Sequence, residues 1–199
     1  AFIIRQLQIL GQDECVDALA SCLNDESLSG PAARALAAIG SEKSGQALVA
    51  ALKSRSGSPK TQKDVIRAIA DAQVKEAETV LKALLGASDP NMQKAVLYAL
   101  SRAGSRESLD ALADVAANAG YTMEKTGANE AYIALIKRVI AQGNYTDALK
   151  AAKKLQKDAA KAGQEQTREA ALQAMISAEL AIGQQKEQAK GKDADKTGA

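Results

Sequence analysis

Apolar positions along this chain fall into pairs of short stripes, and the pairs repeat. Aligned on "ILGQDECVDAL" (9–19), the segments "AIGSEKSGQAL" (38–48), "DAQVKEAETVL" (71–81) and "RAGSRESLDAL" (102–112) share one pattern. Their anchors are Gly11, Gly40, Gln73 and Gly104, a period of 29 to 33 residues, and two looser copies have anchors at Gly143 and Gly183. Seven residues before the anchor stand Ile4, Ala33, Ile66, Leu97, Ile136 and Ile176; four before it stand Leu7, Leu36, Ile69, Leu100 and Val139. A spacing of three marks one face of a helix. Eight after the anchor come Leu19, Leu48, Leu81 and Leu112, and twelve after come Leu23, Leu52, Leu85 and Ala116, the stripe of a second helix. Each unit is therefore predicted to be two short amphipathic helices that bury their apolar faces only by stacking on neighbouring units.

Gly40 and Gly45 stand five apart, the spacing that opens a phosphate-cradling loop. That reading fails. Gln46 and Ala47 follow where Lys and Ser/Thr are needed, and no strand precedes the pair. Gly40 instead shares the column of Gly11 and Gly104, where glycine supplies the left-handed turn that ends a helix.

Composition narrows the chemistry. Apolar types make up 46% of the 199 residues and aromatics only 3%, so the core must be built from small and aliphatic side chains at close spacing. There is no histidine, which excludes imidazole-based hydrolases and the usual zinc sites; no catalytic residue, metal or cofactor is expected. Net charge is +2 with the signs interspersed, which implies no nucleic-acid partner. No run approaches the ~20 apolar residues of a membrane span. Cys15 and Cys22 lie seven apart on one helix, too far for a disulfide, and their columns hold small or apolar residues, so both read as inert core thiols. The apolar opening Phe2, Ile3, Ile4 leads to the expectation that the natural protein extends further, with flanking domains.

Residues 1–143 read as the repeat array. Residues 144–183 read as a longer, capping helical pair, its Lys150, Lys153, Lys154, Lys157 and Lys161 on a solvated outer face. The segment 184–199, rich in lysine and without a large apolar group, reads as a flexible tail or linker. Glu179 replaces an apolar residue in its column and reads as a cap residue. The long loop 117–129 carries Tyr121 and Met123, which have no core column to fill; they are expected either to meet a partner or to plug the loop from beneath.

The stretches "GPAARALAAIGSEKSGQALVAAL" (30–52) and "DPNMQKAVLYALSRAGSRESLDAL" (89–112) resemble HEAT-like repeats of the phycobilisome-lyase type. The resemblance implies an all-α, right-handed α-α superhelix of about five helical hairpins and a non-catalytic scaffold binding a protein of unknown identity. It also implies a partner-facing row, placing Arg34, Arg67, Tyr98, Arg102, Tyr132 and Lys137 as candidate contacts. Such repeats commonly carry an Arg that pairs with a loop Asp in a ladder; here Ser29, Gln62 and Gln93 take those positions while Asp25 and Asp89 remain, which puts the ladder in doubt. The chain is also similar to helical-repeat regions of exported bacterial proteins that lie beside a 3-keto-disaccharide hydrolase domain. That alternative would make it an arm of a glycan-processing enzyme, in the bacterial periplasm or envelope; a bilin-handling subunit is the other alternative.

Overall fold

The computed structural model describes residues 2–54, 57–122 and 127–197, all of them helix, turn or loop. Two compact units result, the first ending at Ser108 and the second beginning at Leu109.

In the first unit, α1 (Phe2–Leu10), α3 (Ser29–Ile39), α5 (Pro59–Ala72) and α7 (Pro90–Ala103) pack successively side by side. A second layer is formed by α2 (Val16–Ser21), α4 (Glu42–Ser54) and α6 (Glu78–Lys82), with 3-10 turns at Asp13–Cys15 and Lys75–Ala77 leading into α2 and α6. This is the HEAT-like helical-repeat arrangement the periodicity implies. The columns become its core: Ala33, Leu36, Ile66, Ile69, Leu97 and Leu100 are buried from the first layer, and Leu19, Leu48 and Leu81 from the second. At roughly 1.5–3 kcal/mol for each fully buried aliphatic side chain, this interlayer seam is the main stabilising term.

Helix starts follow local chemistry. Ser58 caps α5 and Asp89 caps α7, each followed by proline at the first helical position, where no N–H is needed. Asp25 accepts from the backbone N–H groups of Ser27 and Leu28 ahead of α3. The anchors meet the expected left-handed turn only in part. Gly40 and Gly143 are left-handed, with φ of 63° and 83°, and so is Gln73, at φ 53°. Gly104 is instead extended, at φ −70° and ψ 166°. There the chain leaves α7 straight into a 3-10 turn, Arg106–Ser108, held by Glu78, whose carboxylate accepts from Ser105 N (3.0 Å), Ser105 Oγ (3.1 Å) and Ser108 Oγ.

The charge ladder is replaced by other bonds. Ser29 Oγ donates to Asp64 (2.8 Å), Gln62 Nε2 donates to the Gly57 carbonyl (3.5 Å), and Gln93 Nε2 to the Leu85 carbonyl (3.4 Å). Lysines tie repeat to repeat: Lys43 on α4 pairs with Asp17 on α2 at 2.9 Å, and Lys60 on α5 reaches the Glu26 carbonyl.

The second unit holds α8 (Leu109–Asn118), α9 (Ala128–Ala141), α10 (Tyr145–Lys161) and α11 (Glu165–Thr197). α9 packs against the other three, and α10 lies along α11. Small residues make that approach close: Ala148, Ala152 and Ala159 on α10 are buried, as are Ala171, Ala174 and Ala178 on α11. Two sequence expectations differ here. α11 runs without a break through Gly183, so residues 184–197 continue a helix where a turn and a flexible tail were expected. Ile176 is consequently exposed, because the buried stripe of α11 is the alanine one. Glu179 is also exposed and pairs with Lys153 at 3.3 Å. Cys15 and Cys22 are free and only half-buried, short of the full burial expected.

Candidate functional site

The outward side of the first layer carries the candidate row. Arg34 on α3, Arg67 on α5 and Tyr98 on α7 occupy equivalent positions on adjacent helices, six residues before their anchors, and all three are exposed. α5 and α7 enclose an open groove of about 460 Å³ lined by Lys63, Arg67, Asp71, Asn91, Lys94 and Tyr98. On α5 the lining residues Lys63, Arg67 and Asp71 recur every four positions, as do Asn91, Ala95 and Tyr98 within one residue on α7, so each helix contributes one edge.

Arg102 fixes the aromatic end of this groove. Its guanidinium carbon lies 5.8 Å from the centre of the Tyr98 ring, within cation–π range. Its Nε donates to the Ala70 carbonyl at 3.2 Å, in the last turn of α5, where the helix dipole favours a cation. Arg102 is thus anchored to α5 and presents the 45%-exposed Tyr98 in one orientation. Lys63 faces Asp89 loosely, at 3.9 Å. Among the described residues, Arg34, Arg67 and Lys94 have no carboxylate within ion-pair distance.

The layers also differ in charge. α1 and α3 carry one basic residue each, α5 three and α7 two, against only Asp64 and Asp71. The second-layer helices α2, α4 and α6, with the two 3-10 turns before α2 and α6, carry six acids and four bases. The interspersed signs of the sequence are therefore sorted by the fold, a signal hidden when charge is averaged along the chain.

The remaining candidates lie in the second unit. Lys137 is exposed on α9. Tyr132, expected on the partner-facing row, is instead buried, with 2% of its surface accessible, because its position on α9 turns inward with Ala131, Leu135 and Ile136. Burial, and then the nearby Asp110 carboxylate, raises its phenol well above the ordinary tyrosine range. Tyr121, half-buried, is bonded to the helices of the second unit. Its backbone is left-handed, at φ 58°, and its carbonyl accepts from Thr167 Oγ1 on α11 (2.9 Å) and from Asn129 Nδ2 on α9. Its hydroxyl contacts Asp158 on α10 at 3.3 Å, so one loop residue ties three helices. Desolvation, and then the Asp158 charge, raises its phenol too. Met123 lies outside the described residues. Sequence reasoning missed the half-buried Glu78 and the buried Asn129 and Thr167.

Among the described residues no group of three Cys, Asp or Glu side chains is placed to hold a metal ion, and no helix is long and apolar enough to cross a membrane. The HEAT repeats family model matches residues 47–133, and the PBS lyase HEAT-like repeat model matches residues 32–54, which fall on α3 and α4. No curated protein and no solved structure matches the chain. Matches across α3 to α9, on a first unit built of two helical layers with the repeat columns in its core, show that residues 32–133 are built of HEAT-like repeats.

Proposed function

We propose that this chain is a non-catalytic protein-interaction scaffold that receives its partner on the outward side of α3, α5 and α7. The observation carrying this reading is the α5–α7 groove, where exposed Arg67 and Lys94 without a carboxylate partner flank a tyrosine held in place by Arg102. Arginine and tyrosine are the side chains that most often dominate binding energy at interfaces, and preorganisation lowers the entropy lost on binding. HEAT repeats are typically scaffolds, and the half-buried carboxylates Asp64 and Glu78 are engaged in holding turns and neighbouring helices. Arg34 extends the surface onto α3; Lys137 on α9 is a separate candidate contact, within the second unit.

Site-specific photo-crosslinking in cells of the source organism tests this. Benzoylphenylalanine replaces Tyr98 in one variant and the exposed second-layer residue Gln46 in another. A discrete adduct from position 98, absent from position 46 and lost when Arg67→Glu is added, is the expected result. Adducts of equal yield from both positions, or none from position 98, refute the placement.

A further inference from the structure

The first layer repeats its charge at a fixed interval. Arg5, Arg34 and Arg67 stand six residues before their anchors on α1, α3 and α5, all exposed, and Tyr98 takes the same position on α7. These helices pack successively side by side. Neighbouring packed helices lie ~8–10 Å apart axis to axis. The row therefore crosses the helices as three guanidinium groups and one phenol, one every ~8–10 Å.

We propose that the partner is an extended acidic segment with carboxylates at every third residue, lying across α1, α3, α5 and α7. This deepens the scaffold reading and rests on it. A polyproline II strand has three residues per turn and rises ~3.1 Å per residue, so residues i, i+3 and i+6 share one edge at ~9.3 Å spacing. That interval matches the row. Each carboxylate then meets one arginine as a two-pronged pair, which arginine forms better than lysine. The residue three beyond the last carboxylate falls on Tyr98, whose ring is braced by Arg102, and an apolar or proline residue stacks there.

Charge complementarity selects protein over nucleic acid. A polynucleotide strand carries a charge every ~3.4 Å, so most of its phosphates would fall between the arginines. Some would face Asp71, which lines the groove one turn from Arg67, or Asp89 at the foot of α7. A segment with a carboxylate at every third residue avoids both.

The test is fluorescence anisotropy of the full chain with two labelled peptides of equal composition. In one, the tripeptide Glu-Pro-Pro repeats three times and one further proline follows; in the other, the three glutamates are contiguous and the prolines follow. The spaced peptide is expected to bind at least ~5-fold more tightly, and Arg34→Glu with Arg67→Glu to lower its affinity at least ~10-fold, because each exposed pair becomes a repulsion. Both sites are solvent-exposed, and an unchanged circular dichroism melt confirms the fold. Equal binding of the two peptides, or tighter binding of an oligothymidylate of matched charge, overturns the proposal. If the peptides fail while the position-98 crosslink persists, the scaffold reading stands and the spaced acidic ligand does not. If the crosslink also fails, both fall.

Discussion

Gly45 and Gly183 both sit inside helices, yet replacing each with alanine should have opposite effects on stability. In α11, a Cβ on Gly183 would meet nothing within 4 Å. Gly183→Ala therefore gains the helix propensity of alanine over glycine, up to ~1 kcal/mol. On Gly45 in α4, the same Cβ would stand 3.3 Å from Val74 Cγ1 and 3.6 Å from Cγ2. Val74 has little room to retreat. It is buried, stiff about χ1, and held by its N–H donating to the Ile69 carbonyl at 3.1 Å. Overpacking of this kind costs ~1–3 kcal/mol, so after the propensity gain Gly45→Ala is expected to be destabilising by ~0–2 kcal/mol. The Val74→Ala background separates the two terms. With the methyl groups removed, Gly45→Ala should become stabilising by about the propensity gain of ~1 kcal/mol, a coupling a double-mutant cycle reads directly. Urea unfolding followed by circular dichroism at 222 nm measures each midpoint, provided the slope is unchanged. If Gly45→Ala destabilises equally with and without Val74, the close approach of α4 to Val74 is not why glycine is there.

Gly40→Ala should cost ~1–2 kcal/mol, since its φ of 63° is one that a Cβ opposes; a melting temperature unchanged from wild type refutes the joint. Glu78→Ala leaves the Ser105 and Ser108 donors without their acceptor and is expected to cost ~1–3 kcal/mol in urea unfolding, whereas wild-type stability would show the clasp to be idle. Asn129→Ala should cost a similar ~1–3 kcal/mol by removing the amide that donates to both the Tyr121 carbonyl and Thr167 Oγ1, leaving the carbonyl its one bond from Thr167, while Tyr121→Phe, losing only the 3.3 Å contact to Asp158, should stay within ~0.5 kcal/mol; the reverse ranking would mean that the hydroxyl, not the carbonyl, holds the loop. The buried phenol of Tyr132 keeps its proton above pH 10 in the folded chain, so the unfolded chain ionises first. Stability should be unaffected by this group below pH 10 and fall as pH rises beyond it, less steeply in Tyr132→Phe; equal slopes for both proteins would contradict the burial.

What was legible in the sequence is what repetition imposes. The columns at Leu36, Ile69 and Leu100 and at Leu19, Leu48 and Leu81 are buried because stacked helices present the same face to the same neighbour in each repeat. Legibility ends where repetition does. Gly104 shares a column with Gly40 but not its conformation, because the Ser105 and Ser108 bonds to Glu78 set the backbone there. Ile176 fails its column because α11 packs through alanines and never turns at Gly183. Tyr132 shares the column of Ser29, Gln62 and Gln93, eleven before the anchor, a column of polar residues that gave no apolar signal for its burial on the inward face of α9. The candidate row was half legible. The recurrence of Arg34, Arg67 and Tyr98 could be read, but not the brace from Arg102 to the Ala70 carbonyl, which joins residues 32 apart. Charge was only partly legible, for a physical reason. The net charge of +2 sums over the whole chain, whereas a partner lying on one layer feels mainly what stands within a Debye length, about 8 Å at physiological salt. At that range the relevant quantity is the excess of bases on α1, α3, α5 and α7, and the acids of α2, α4 and α6 lie behind a core of aliphatic side chains. A chain close to neutrality can thus present a cationic surface, provided that the residues of each sign fall consistently on one helix of every repeat.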